Sequence, residues 1–174
     1  MKKIFSHIDK HIDDTIETLF KMVAQPSIST QNVGFDKAPS LIKHILSEYG
    51  LNTQILQTSN NGHPSIYGEY NTNSDKTLMF YTHYDVQPPE PLELWESDPF
   101  HPEKRGNRLY GRGMSDDKGN IAARLAAIRA FLDTENTLPC NIKFFVEGEE
   151  EMGSKNLMSL IEKNKTLLTA DACI

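Results

Sequence analysis

A short apolar segment in the middle of the chain constrains the fold more than any other feature of the sequence. Residues 78–82 are apolar and rich in aromatic side chains, which is typical of a buried central strand. His83-Tyr84-Asp85 follows at once, and open α/β sheets carry their sites beyond the carboxyl ends of such strands. In an extended chain His83 and Asp85 point to the same side, so Asp85 can orient the imidazole while its other nitrogen faces a metal ion. A strand-end histidine followed by a turn aspartate explains this pair equally well.

Two adjacent acids open the clearest helix of the chain. Asp116 and Asp117 follow a glycine-containing turn, and Ile121, Leu125 and Ile128 then form one apolar helical face. An acid at a helix start is commonly a cap that the helix dipole favours, so either aspartate alone can be structural. Because there are two, we expect one to cap the helix while the other points out at a cation.

A third acidic segment lies between residues 141 and 154. An apolar strand runs into Gly148, and three consecutive glutamates, residues 149–151, come directly after it. A run of glutamates is usually a solvated surface feature. At the carboxyl end of a buried strand, beside a glycine that permits an unusual turn, it is also a candidate acidic site.

These three segments combine one imidazole with several carboxylates, a ligand set that suits zinc, manganese or cobalt. The set lacks the thiolates of a structural zinc site. Carboxylates around metal ions, with an unligated glutamate nearby, are the equipment of metal-assisted hydrolysis. The sequence also contains His7 and His11 one helical turn apart. No glutamate of the kind found in a zinc-protease helix stands beside either, so we expect no metal role for them.

The remaining patterns predict an α/β fold with a mixed central sheet flanked by helices in three layers. The predicted helices cover residues 4–23, 38–49 and 155–164, the predicted strands cover 51–57, 65–70 and 170–174, and a turn is predicted at 60–62. Residues 86–108 read as a long irregular loop, and loops of that length inside a compact domain are usually functional.

Composition excludes several classes of protein. The 174 residues are enough for one domain with a core, and 38% hydrophobic and 24% charged residues describe a globular protein. A net charge of −6 argues against nucleic-acid or anionic-membrane partners, and no apolar run reaches a membrane span. Cys140 and Cys173 stand in apolar runs that read as strands, so two buried thiols are expected. Together with the lack of a secretory signal, they predict a cytoplasmic protein.

Taken together, the motifs resemble the dinuclear zinc exopeptidases and deacylases. That family includes carnosinases, bacterial dipeptidases, carboxypeptidase G, acetylornithine deacetylase and succinyl-diaminopimelate desuccinylase. The segments that carry the resemblance are 82–88 (Thr-His-Tyr-Asp-Val-Gln-Pro), Trp95 with 98–100, 109–113, 116–119 and 147–151. They occur in the family's order and spacing, and their context is most similar to the dipeptidase branch.

The resemblance implies a role for each of five residues. His83 matches the first-metal histidine, Asp85 the aspartate that clamps its ring, and Asp116 the carboxylate that bridges two ions, after which a cis peptide bond is expected. Glu150 matches the general base and Glu151 the second-metal ligand. The three adjacent glutamates leave Glu149 with Glu150 as the alternative pairing. The implied cofactors are two divalent ions, zinc first, with manganese or cobalt as alternatives.

The resemblance also implies what the chain does. Residues 1–174 are expected to be the amino-terminal part of a metallopeptidase catalytic domain, without the lid and dimerisation domain. Two metal ligands of the family are also expected to be missing, an acid just after the strand that residues 170–174 resemble and a late histidine. Asp171 lies earlier in that strand and does not match the missing acid. The expected activity is dipeptide hydrolysis on a small peptide substrate, by a parent enzyme that is a homodimer. N-acyl amino acid deacylation or desuccinylation, and a non-catalytic fragment, are the alternatives.

Overall fold

Twelve helices and strands follow one another through residues 1–59 and 61–174, the part of the chain that the computed structural model describes. They are α1 Lys2–Lys10, α2 Ile12–Ala24, α3 Ala38–Glu48, β1 Asn52–Leu56, β2 Ser65–Tyr70, β3 Thr77–His83, β4 Glu103–Arg105, β5 Arg108–Tyr110, α4 Lys118–Glu135, β6 Asn141–Glu147, α5 Leu157–Lys163 and β7 Ala172–Cys173. The turn predicted at residues 60–62 includes Asn60, which lies outside the described residues. None of the described helices is long and apolar enough to cross a membrane.

The central sheet is mixed, as the sequence predicts. Its strand order is β1-β2-β6-β3-β7, with antiparallel pairing from β1 to β6 and parallel pairing of β3 with both β6 and β7. α4 lies in the connection between β3 and β6, as a parallel pair requires. The register places His83 opposite Glu147, so the carboxyl ends of β3 and β6 meet at one edge of the sheet.

Helices cover both faces of this sheet. Phe144 faces the larger core, where Leu46 of α3 and Leu125 of α4 are fully buried. Its neighbour Phe145 points to the opposite face and packs in a smaller core with Leu160 of α5. Consecutive strand residues therefore serve opposite layers, which follows from the two-residue alternation of a strand. The predicted three-layer α/β/α architecture is confirmed.

Three local predictions were wrong. The helix expected over residues 4–23 is two helices, because the backbone leaves helical geometry at His11, where φ is −110° and ψ is 22°. The apolar stripe continues through this break, so hydrophobic periodicity does not detect it. Within residues 86–108, which were expected to be irregular, β4 and the start of β5 form a hairpin.

The third wrong prediction concerns the cysteines. The strand expected over residues 170–174 is reduced to Ala172–Cys173, which pairs with β3 on one side and is exposed. Cys173 is therefore exposed, and Cys140 is half-buried just before β6. A short edge strand without a covering helix cannot bury its side chains. The prediction of two buried thiols was wrong, so the cysteines no longer support the predicted cytoplasmic location.

Candidate metal site

The ring of His83 is held from one side and presented to acids on the other. His83 ends β3 and is 6% exposed. Its Nδ1 lies 3.1 Å from the carbonyl oxygen of Asp85 and 3.3 Å from the Asp85 Oδ1, the contact that strand alternation predicts. Its Nε2 lies 3.0 Å from Asp116 Oδ1. One nitrogen is thus used for orientation, and the other faces the open edge of the sheet.

The acids around His83 favour a positive charge at this position. Burial by itself lowers the pKa of the imidazole, but the hydrogen bond and the charge of Asp85 act in the opposite direction. The negative charges of Asp117 and Glu150 add to them, and the net result raises the pKa of His83 from 6.5 to about 9. The environment that stabilises a proton on this ring is one that attracts a cation.

Asp116 and Asp117 are joined by a cis peptide bond, as the resemblance implies, and their side chains have different surroundings. The Asp117 side chain is buried and accepts hydrogen bonds from the Thr82 hydroxyl, from the Asn120 amide and, at 3.3 Å, from the His83 N–H. Asp117 is the N-cap residue of α4, as expected, but its side chain makes no capping bond to the helix backbone. The Asp116 side chain is 78% exposed and directed at His83. One aspartate therefore fixes the strand end, and the other is free to bind.

Asp85 has a second contact that the sequence did not predict. It is fully buried, and its two carboxylate oxygens accept the backbone N–H groups of Glu150 at 3.2 Å and Glu151 at 3.0 Å. The same side chain that orients His83 therefore also holds the glutamate turn after β6. Asp85 joins the two strand ends that carry the candidate ligands.

The three glutamates of that turn have different environments. Glu150 is half-exposed, and its Oε2 lies 3.8 Å from His83 Nε2. Glu151 accepts a hydrogen bond of 2.7 Å from the side-chain amide of Gln87. The carboxylate of Glu149 is buried and is used by other parts of the chain, which disfavours the alternative Glu149–Glu150 pairing.

The structure thus brings Asp85, Asp116 and Glu150 around His83, and it directs the side chain of Glu151 towards Gln87. Within the described part of the chain, no three His, Cys, Asp or Glu side chains are grouped so that they could hold an ion as they stand. Sequence reasoning also missed Gln87, although it belongs to the Val-Gln-Pro segment of the motif. The position of Gln87 within that segment was enough to mark it as a candidate site residue.

The closest pair of candidate ligands has a separation compatible with one ion. Two ligands at 2.0–2.2 Å from a tetrahedral zinc ion lie about 3.3–3.6 Å from each other. His83 Nε2 and Asp116 Oδ1 are 3.0 Å apart, so a small side-chain adjustment of the exposed Asp116 is sufficient. The other nitrogen of His83 already has a carboxylate partner, as metal-bound histidines usually do. His83 and Asp116 therefore suit a divalent ion as a pair of ligands.

A second group of histidines and acids lies far from this edge in the fold. His7 and His11 stack at the junction of α1 and α2, with ring centroids 4.3 Å apart. His7 Nε2 lies 3.1 Å from Asp133 Oδ2, and His11 Nδ1 lies 2.8 Å from Asp14 Oδ2. A cavity of about 390 Å³ adjoins them. A cavity by itself therefore does not identify the chemical site in this chain.

Comparison with known proteins places the whole chain among metallopeptidases. The model of peptidase family M20/M25/M40 matches residues 79–174. The Beta-Ala-His dipeptidase of Homo sapiens is 35% identical over 95% of this chain and 36% of that protein. The Cys-Gly metallodipeptidase of Schizosaccharomyces pombe is 31% identical over 100% of this chain and 40% of that protein. The chain thus spans about two fifths of the length of these relatives.

A solved structure agrees with this assignment. The M20 family metallo-carboxypeptidase from Sulfolobus solfataricus superimposes with a TM-score of 0.87 at 42% sequence identity, over 92% of this chain and 36% of that one. The edge at which His83, Asp116 and Glu150 meet therefore belongs to a scaffold that known metal-dependent peptidases also use.

Proposed function

This chain belongs to peptidase family M20/M25/M40, and on that premise we propose that its residues serve the metal-dependent hydrolysis of dipeptides. The observation that carries the proposal is the meeting of buried His83 with exposed Asp116, 3.0 Å apart, and with Glu150 at 3.8 Å. The dipeptidase names of the human and yeast relatives support the substrate class. Because the chain spans about two fifths of their length, the activity is proposed for a polypeptide that contains these residues.

In this proposal His83, Asp116 and Glu151 would hold divalent ions, two in number, with zinc preferred over manganese or cobalt. Such ions, when bound, lower the pKa of a water molecule and polarise the carbonyl group of the substrate. Asp116 would be the ligand that both ions share, the role that the family resemblance implies for it, and its side chain is the most exposed of the acids around His83. Glu151 would serve as a ligand in place of its present hydrogen bond with the side-chain amide of Gln87.

The other residues orient these ligands and move protons. Asp85 holds the His83 ring through Nδ1, so that Nε2 stays directed at Asp116. Glu150 is the general base in the proposal, because its carboxylate is half-exposed beside His83 while its backbone is fixed by Asp85. It takes a proton from the attacking water and returns it to the leaving amine, which is the usual task of such a group.

The proposal includes three finer statements. The substrate is a small peptide, and the enzyme works in the cytoplasm. The parent enzyme is a homodimer that forms through a lid domain, and residues 1–174 are the amino-terminal part of its catalytic domain. The main alternative is hydrolysis of an N-acyl amino acid, because the same arrangement acts on any amide carbonyl of suitable size. A non-catalytic fragment is the alternative outside the enzymes.

Metal binding and turnover of the 174-residue chain test the proposal together. We would titrate the chelator-treated chain with ZnCl₂ and MnCl₂ by calorimetry, then assay β-alanyl-histidine, cysteinyl-glycine and an N-succinyl amino acid. His83→Ala is the test variant and His11→Ala its matched control, since both histidines contact a carboxylate through Nδ1. We expect zinc affinity to fall with His83→Ala and to stay unchanged with His11→Ala.

The outcomes separate the alternatives. Chelator-sensitive release of amino acid that is faster from dipeptides supports the dipeptidase, and faster release from the N-succinyl compound supports the deacylase. Zinc binding that needs His83, with no turnover of any substrate, supports the non-catalytic alternative for this polypeptide. Equal zinc affinity of the wild type and of His83→Ala would contradict the metal site itself.

A further inference from the structure

Glu149 is a buried carboxylate that the proposed chemistry does not use. It is 2% exposed, and none of the ion pairs among residues 1–59 and 61–174 includes it. Its oxygens accept the backbone N–H of His63 at 2.9 Å, the backbone N–H of Asn156 at 3.2 Å and the Asn156 side-chain amide at 3.0 Å. A buried charge that only N–H groups compensate is costly to keep, so its position needs a reason.

The main chain of Glu149 shapes the glutamate turn. Its carbonyl oxygen accepts the N–H groups of Met152 at 3.2 Å and Ser154 at 2.8 Å, closing the turn that contains Glu150 and Glu151. On the opposite side, the N–H groups of Glu150 and Glu151 donate to Asp85. The two glutamates are thus held between two buried carboxylates, one on β3's continuation and one within the turn.

The loop that precedes β2 is fitted closely to the Glu149 carboxylate. A Cβ built on Gly62 would overlap both Glu149 Oε1 and Asn156 Nδ2, so a larger residue here would force these two side chains to move. The next residue, His63, is anchored in turn: its ring stacks on Phe35 with centroids 3.5 Å apart, and its Nε2 lies 3.0 Å from the carbonyl oxygen of Ser29. The support for Glu149 therefore extends into the amino-terminal part of the chain.

We propose that Glu149 is a positioning residue, which fixes the placement of Glu150 and Glu151 by attaching their turn to the Gly62–His63 loop and to Asn156 at the start of α5. This inference rests on the proposed function for its catalytic consequence. Loss of the carboxylate leaves buried N–H groups without an acceptor, and the turn relaxes to satisfy them elsewhere. A displacement of about 1 Å at a reacting group is enough to cost about 10²-fold in rate.

The matched variants are Glu149→Gln and Leu160→Ala. Glutamine keeps the size of the side chain but places an NH₂ group against the N–H donors of His63 and Asn156. Leu160→Ala removes a buried apolar side chain of α5 that lies outside the glutamate turn. It is therefore the control for any loss of thermal stability that Glu149→Gln causes. Glu149→Asp is the conservative variant, which keeps the charge and is expected to rescue part of the effect.

The first readout is independent of activity. In the chelator-treated 174-residue chain, amide hydrogen exchange by NMR should become at least about 10-fold faster at Glu150 and Glu151 in Glu149→Gln, because their bonds to Asp85 loosen. Exchange at Phe144 in β6 should stay unchanged, and Leu160→Ala should leave the two glutamate amides as in the wild type. Unchanged exchange at Glu150 and Glu151 in Glu149→Gln overturns the proposal.

The second readout is turnover of β-alanyl-histidine. Glu149→Gln is expected to lower kcat by about 10–10²-fold with KM little changed, whereas Leu160→Ala, at a comparable loss of thermal midpoint, retains kcat. Equal losses of kcat in the two variants would make Glu149 merely structural and overturn the proposal. If the 174-residue wild type hydrolyses no substrate, that result supports the non-catalytic alternative for this polypeptide, while the exchange readout still decides the role of Glu149.

Discussion

The edge of the central sheet and the α1–α2 junction both combine histidine with carboxylates, but they do so with different geometry. At the sheet edge, the contacts of His83 come from its own strand end, from the start of α4 and from the turn after β6. At the α1–α2 junction, His7 contacts Asp133 of α4 and His11 contacts Asp14, so among the described residues each of these rings has one carboxylate partner. The two regions therefore differ in how many carboxylates separate segments bring to one ring, which residue type and spacing alone do not reveal.

Burial also distinguishes the His83–Asp85 pair from the His11–Asp14 pair. The His83 ring is almost completely enclosed and Asp85 is fully buried, so their interaction is weakly screened by solvent. The pair of His11 and Asp14 is 42% and 75% exposed at the side chains, where such interactions contribute little. Three paired experiments test this comparison.

The largest effect is expected at Glu150. Glu150→Gln should lower dipeptide turnover by about 10²–10⁴-fold, the usual contribution of a positioned acid–base group, and should leave the bound metal nearly unchanged. His11→Ala, in the other region, should change neither. Steady-state kinetics and elemental analysis after dialysis measure both quantities. If Glu150→Gln lost the metal instead, Glu150 would be a metal ligand, and the alternative pairing of Glu149 with Glu150 would be supported.

A smaller effect is expected at the aspartates that contact the histidine Nδ1 atoms. Asp85→Asn should weaken zinc binding by about 10–100-fold, the usual cost of losing a partner of a metal-bound histidine. It removes the negative charge that holds the His83 ring. Asp14→Asn is the matched change beside His11 and should leave zinc affinity unaltered. Calorimetric titration checks both, and equal effects would abolish the distinction between the two regions.

The smallest effect is expected in the pH dependence of stability. The folded-state pKa of His83, about 9, exceeds its ordinary value of 6.5, so its charge stabilises the metal-free chain fully below pH 6.5. That contribution is lost as pH rises from 6.5 to 9. The free-energy difference between wild type and His83→Gln should therefore shrink by about 1–3 kcal/mol over that range, allowing for partial solvent screening.

Urea unfolding in the presence of a chelator at pH 6, 7.5 and 9 measures this change, since titrations common to both proteins cancel in the difference. The control is His11→Gln, whose difference from wild type should vary by less than about 1 kcal/mol, the range of exposed pairs. A pH-independent difference for His83→Gln would mean that Asp85 does not stabilise the charged ring in solution.

Several parts of the site follow from the sequence alone. Residues 78–82 are apolar enough to dictate a central strand, and the two-residue alternation then places Asp85 beside His83. The apolar helical face after Asp117 likewise predicts where α4 begins. These are short-range patterns of backbone geometry and burial, and a sequence contains them completely.

The environment of each carboxylate was decided by the tertiary structure. Three adjacent glutamates are equivalent in sequence, yet Glu149 is buried because His63, 86 positions away, donates to it. Asp117 likewise accepts a hydrogen bond from the Thr82 hydroxyl, whereas its neighbour Asp116 remains exposed. Whether an acid is a buried acceptor or a free ligand depends on which donors another segment brings to it. That information is absent from local patterns, because it arises only when the loops pack together.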